Sequence, residues 1–379
     1  MKGKTFLILL ATAGVLVAFS FLRFGDEKPT GTVKMGDRLF ADLPVNAVAG
    51  VTIADTENRV TLVRGEKVWQ VDERDGYPAD FDELRDTVVK LSRLKIGRSF
   101  SASPESLVRL SLMAPSAPDT EGGGTRVVLT DQSSNILADI TLGQVREADG
   151  GGSGGQYLKK AGTDTVFLVD ADFRFLKTAP AQWLDKEILS IDAEDVASVV
   201  CFTGDSQTPV YSLTRPEQGE APRMTPIPEG RTADSAKIDQ VFDALAPLTL
   251  DDVKAGEGTP PGGESDRVRL VYHLHDGRRI SIFPESDGED KYTLRVTAEA
   301  DEVEAAAADA AAAGAPEDEA PKGEVEAPET AAPATKTARQ LNEELSPWVF
   351  SVKKWQFDSF ITRPESLLEE VKTEGNGSS

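Results

Sequence analysis

Two periodicities divide this chain. Over residues 80–96 apolar side chains recur three and four apart, at Leu84, Val88, Leu91 and Leu94; over residues 234–250 they recur at Ile238, Phe242, Leu245 and Leu248. Each set predicts an amphipathic helix with one core-facing stripe. The two stretches align without a gap, and Ala79-Asp80 falls on Ala233-Asp234, so Asp80 and Asp234 are read as N-caps. Elsewhere the period is two. Short alternating runs precede each helix, at 48–51, 62–64 and 68–71 in the first copy and at 196–199, 213–215 and 223–225 in the second. Others follow: 126–129 with 136–140 and 156–159 with 166–169, then 268–273 with 279–283 and 291–296. Alternation of this kind predicts half-buried hairpin strands. The expected fold class is therefore α+β: two duplicated modules of antiparallel or mixed sheet with packed helices, spanning 45–192 and 193–368.

Three stretches break both periods. Residues 298–337 hold Ala, Glu, Asp and Pro and lack the aromatic and branched residues of a core, which predicts a disordered acidic insert in the second module. After it, Leu345-Ser346-Pro347-Trp348 is matched with Ala179-Pro180-Ala181-Gln182-Trp183. Residues 369–379 read as a disordered tail. At the other end, residues 5–22 carry no charge, with Lys2 and Lys4 before them and Arg23 after. A helix of that length roughly spans the hydrocarbon core of a bilayer. The flanking lysines favour a cytoplasmic amino end, placing the C-terminal part in the periplasm. Residues 1–24 are thus read as a single-pass inner-membrane anchor and 25–44 as a linker. Ala18-Phe19-Ser20 keeps a cleaved signal peptide open as the alternative.

Charge and chemistry narrow the function classes. The formal net charge of -23 over 379 residues excludes a phosphate-backbone binder, which needs clustered Lys and Arg, so no nucleic acid is expected. Cys201, the one cysteine, sits in the apolar run Val199-Val200-Cys201-Phe202 and reads as a buried small hydrophobe. His273 and His275, two apart on a predicted strand, have the spacing of half a metal site; the competing reading is an exposed strand entering an Asp276-Gly277 turn. Gly151-Gly152-Ser153-Gly154-Gly155 satisfies the letters of a nucleophile elbow without its strand and helix, and reads as a floppy loop. Asp287-Gly288-Glu289-Asp290 reads as a hairpin turn rather than a calcium loop. Trp69, Trp183, Trp348 and Trp355 are expected in core or inter-module packing, with a ligand groove as the rival role. No catalytic, cofactor-binding or metal-binding residue is assigned, and no enzyme activity or cofactor is expected.

The segment Arg38-Leu39-Phe40-Ala41-Asp42-Leu43-Pro44, with Leu62-Val63-Arg64, Trp69, Tyr77-Pro78-Ala79-Asp80 and Trp183-Leu184-Asp185-Lys186, resembles a bacterial family known as domain of unknown function 4340. That resemblance implies a membrane-anchored protein encoded beside ABC-type transport or gliding-associated permease components; it brings no catalytic residues. The expected function is a non-catalytic extracytoplasmic scaffold or accessory subunit of an envelope transport-type complex, with inner-membrane lipid and protein partners. The alternative is a periplasmic binder of a small molecule or glycan.

Overall fold

In the computed structural model the described residues are 34–148, 150, 153–256, 267–288, 290–300 and 336–370. In chain order the first elements are β1 (Gly50–Ala54), β2 (Arg59–Arg64), β3 (Trp69–Val71), β4 (Tyr77–Pro78), α1 (Phe81–Ser92), β5 (Ile96–Ser101), α2 (Pro104–Arg109), β6 (Thr125–Thr130), β7 (Ile136–Glu147), β8 (Ser153–Lys160) and β9 (Thr165–Val169). They are followed by β10 (Glu187–Leu189), β11 (Val196–Thr203), β12 (Tyr211–Thr214), β13 (Arg223–Thr225), β14 (Arg231–Ala233), α3 (Ser235–Phe242), β15 (Leu248–Thr249), β16 (Asp252–Ala255), β17 (Val268–Leu274), β18 (Arg278–Ser286) and β19 (Tyr292–Ala300). The last are α4 (Ala338–Leu345), β20 (Trp348–Ser351), α5 (Lys354–Asp358) and β21 (Leu368–Glu370). The fold is sheet-rich α+β, and its strand ladders are antiparallel.

Two compact units share the chain. One takes residues up to Arg59 together with 85–178; the other takes 60–84 and the residues from Ala179 onward. The sheet of the first unit runs in the order β1-β6-β7-β8-β9-β5. In the second unit the order is β13-β12-β11-β17-β18-β19-β20-β16, so its last six strands follow the same sequence of connections as those of the first. The second unit also holds the β2-β3-β4 meander, registered through Leu62 with Val71 and Gln70 with Pro78.

The expected stripes are buried: Leu84, Val88, Leu91 and Leu94 are 1–5% exposed, and Ile238, Phe242, Leu245 and Leu248 are 0–1% exposed. Both helices are shorter than their stripes. The first ends at Ser92, leaving Leu94 beyond it. The second gives way to a 3₁₀ turn at Asp243–Leu245, and Leu248 lies in β15. Pro247 accounts for this stop, since it lacks an N–H and disfavours a helical residue before it. Asp80 and Asp234 cap as expected, their carboxylates accepting from Glu83 N (3.0 Å) and Lys237 N (3.3 Å).

Each helix start is also tied to a much later segment. The Asp80 amide donates to Trp183 O at 2.8 Å, at the end of the 3₁₀ turn Pro180–Trp183, and Ala79 bridges to Leu184. The Asp234 amide donates to Leu367 O at 2.9 Å, at the end of the 3₁₀ turn Pro364–Leu367, and Ala233 pairs with Leu368. Leu367, not Trp348, is thus the residue that repeats the hydrogen bond of Trp183; Trp348 opens β20 instead.

The acidic tract expected at 298–337 lies outside the described residues over 301–335, and its two edges belong to regular elements. Ala298 and Ala300 belong to β19, and Thr337 caps α4 through a reciprocal box with Gln340. Residues 5–22, the expected anchor, also lie outside the described residues. Among the described residues no helix is long and apolar enough to cross a membrane.

Candidate functional site

The chemistry singled out in the sequence does not converge. His273 is a strand residue opposite Ser198 and Arg279, whereas His275 sits in the following turn, its amide donating to Asp195 O at 2.9 Å. Only the first of the two is a strand residue, because the strand ends at Leu274. Beside them Arg278 forks onto Asp276 (2.6 and 2.7 Å), which lowers the Asp276 carboxyl against the opposing effect of its burial. Among the described residues no group of three or more His, Cys, Asp or Glu gathers as metal ligands would.

Cys201 is 3% exposed, and burial pushes its thiol up to about 11, far from a reactive thiolate. Ser153 begins strand β8 rather than turning into a helix, so the floppy-loop reading fails for Gly154 and Gly155. The cause is close packing: a Cβ on Gly155 would stand 2.0 Å from Val169 O on β9. Of the four tryptophans, Trp183 is fully buried, Trp69 and Trp348 are half-buried, and Trp355 is 65% exposed. Trp355 thus departs from the expected packing role.

Trp355 stands on α5, whose five residues divide sharply. Gln356 (3% exposed) and Phe357 (4%) point inward. With its amide assigned in the orientation its neighbours require, Gln356 brackets the Thr249 main chain, the nitrogen donating to Thr249 O (3.1 Å) and the oxygen accepting from Thr249 N (3.0 Å). The Phe357 ring lies 5.0 Å from Tyr292. Outward, Lys354 pairs with Asp358 one turn on (2.7 Å), which raises the Lys354 ammonium. With two neighbours sealed into the core, the indole is presented by a fixed backbone.

The chain then dips and returns. Phe360 is fully buried, its ring 6.4 Å from Tyr272, so the next residue, Ile361, is turned out and 39% exposed. Opposite stands α3, with Ile238, Val241 and Phe242 buried and Lys237 and Gln240 exposed. Tyr272 fixes this helix by donating its hydroxyl to Val241 O at 3.1 Å. Between them lies an open cleft of about 430 Å³, floored by Val241, Trp355 and Ile361 and rimmed by Lys237, Gln240, Asp358, Ser359, Thr362, Arg363 and Ser366.

The rim hydroxyls are set by local bonds. Ser359 Oγ donates to Trp355 O (3.3 Å), Thr362 Oγ1 to Ser359 O (3.1 Å) and Ser366 Oγ to Arg363 O (2.7 Å). With their protons directed to the main chain, these oxygens are left as acceptors. The cleft can bind, but its rim holds no paired nucleophile and base. Sequence reasoning named Trp355 without placing it, because the run Lys354-Trp355-Gln356-Phe357-Asp358 is too short to phase.

A family model described as Domain of unknown function (DUF4340) covers residues 69–266. No curated protein and no solved structure matches the chain.

Proposed function

This chain belongs to the DUF4340 family, and we propose that it serves as a membrane-anchored extracytoplasmic scaffold, a non-catalytic accessory subunit of an envelope transport-type complex. The observation that carries this reading is the uncharged run 5–22 between Lys2, Lys4 and Arg23. At 1.5 Å per residue a helix of this length would measure about 27 Å, close to the roughly 30 Å of a bilayer core. Its basic flank directs the remainder outward.

On this reading residues 45–192 and 193–368 are two copies of one module. The shared six-strand order and the twofold occurrence of the helix-start tie support that. A protein of this build offers surfaces to partners. The test is fractionation followed by gentle solubilisation and affinity capture. The expected outcome is a protein resistant to alkaline extraction, digested by protease from the periplasmic side, and recovered with a permease or ATPase. Recovery in the soluble fraction, or alone from membranes, overturns the proposal.

A further inference from the structure

We propose that the cleft between α3 and α5 binds a β-linked, gluco-configured saccharide, with the Trp355 indole as its stacking platform. This goes beyond the scaffold reading and stands independently of it.

The first argument is the cost of the indole's position. A tryptophan left 65% exposed keeps a large apolar surface in water, while Gln356 and Phe357 beside it are sealed in. A ligand that covers the ring regains that surface without reorganising the backbone, which the Thr249 and Tyr292 contacts already fix.

The second is the match in chemistry. A gluco-configured pyranose has two characters: its faces carry axial C–H groups, apolar and slightly positive, and its rim carries equatorial hydroxyls. The face complements the negative π-face of an indole. The rim complements what surrounds Trp355: acceptor oxygens on Ser359, Thr362 and Ser366, and donor groups on Gln240 and Arg363. A purely apolar ligand would leave that rim unpaired, and an inorganic anion would leave the indole bare.

The third is shape. About 430 Å³ lies within the range of small-ligand sites, and the cleft is open rather than enclosed. Equatorial β-linkages keep successive rings nearly coplanar, so such a chain can lie along an open groove. The core of a protein–protein interface is depleted of charge, whereas Lys237, Asp358 and Arg363 all border this small floor.

The experiment titrates purified full-length protein, in a detergent without a sugar headgroup, with cellotetraose, chitotetraose and xylotetraose, reading tryptophan fluorescence. The expected result is a saturable blue shift with at least one of them. Trp355→Ala should abolish the shift and weaken binding, followed by calorimetry, by at least about tenfold. It should leave the melting temperature in place, since the side chain is mostly exposed. Gln240→Ala should weaken binding severalfold while keeping the shift. Three outcomes overturn the proposal: no saturable response at millimolar sugar, equal affinity in Trp355→Ala, or a protein partner lost in Trp355→Ala that sugar does not displace. Anchoring is read by fractionation and binding by titration, so the failure of one leaves the other intact.

Discussion

Trp183 and Trp355 show how differently one residue type is used here, and the contrast fixes what their removal should do. Trp183 is fully buried. Truncation to alanine should cost about 3–5 kcal/mol, read as a lower urea midpoint with unchanged slope. Trp355→Ala, by the same measurement, should stay within about 0.5 kcal/mol. Asp172, in the first unit, is one carboxyl that couples folding to acid. The Ser153 hydroxyl, ahead of the Arg174 guanidinium at 3.1 Å, outweighs the carboxyl's own burial and holds it down to about 2. A carboxyl depressed in the folded state contributes stability that is complete above its unfolded value, near 4, and lost as pH falls through about 2. Urea midpoints of wild type and Asp172→Asn should therefore converge between about pH 4 and 2; a constant gap would show that Asp172 does not couple to protons. The raised Cys201 thiol should react with iodoacetamide only through unfolding, at a rate that follows added urea.

Among the elements, α4 makes the sharpest test of local design. Thr337 Oγ1 accepts from Gln340 N (3.3 Å) while the Gln340 side chain accepts from Thr337 N (2.9 Å). Thr337→Ala should cost about 0.5–2 kcal/mol, measured by chemical denaturation. This helix was legible in principle, because Ala338, Leu341 and Leu345 are buried at helical spacing. It was obscured by the acidic tract that adjoins it, which shares its alanine and glutamate content. The helix stripes of α1 and α3 and the alternating strands β1, β2, β6, β18 and β19 were readable because each buries a regularly spaced set of side chains. Strand β5 was not: only Ile96 is buried in Ile96–Ser101, so it carries no alternation. Helix ends were overdrawn because the apolar stripe runs past the helix into Leu94 and Leu248, which are buried by tertiary packing. The cleft was invisible for a related reason. Whether Trp355 or Gln356 faces the core depends on where a five-residue helix sits against Thr249 and Tyr292, and no local pattern encodes that.

For the whole molecule, the decisive feature is that residues 60–84 belong with the second unit. There the Arg74 guanidinium forks onto Asp252, with Nη2 at 2.9 Å from Oδ2, and Ala255 N donates to Asp75 at 3.0 Å. Tyr77 meets Trp348 edge-on at 5.1 Å. A double-mutant cycle of Arg74→Ala and Asp252→Ala should give a coupling of about 0.2–1 kcal/mol, as for a partly exposed pair. A fragment beginning at Ala193 should lack a cooperative thermal transition, because it loses these partners; a sharp melt would show that the second sheet stands alone. The carbonyls of Trp183 and Leu367 carry the remaining consequence. Synthesis runs from the amino end, so the amides of Asp80 and Asp234 must wait for acceptors made long after the helices they begin. Contacts so remote in sequence close slowly. The nascent polypeptide therefore stays unfinished, and open to chaperones and proteases, until the turn Pro364–Leu367 has been made.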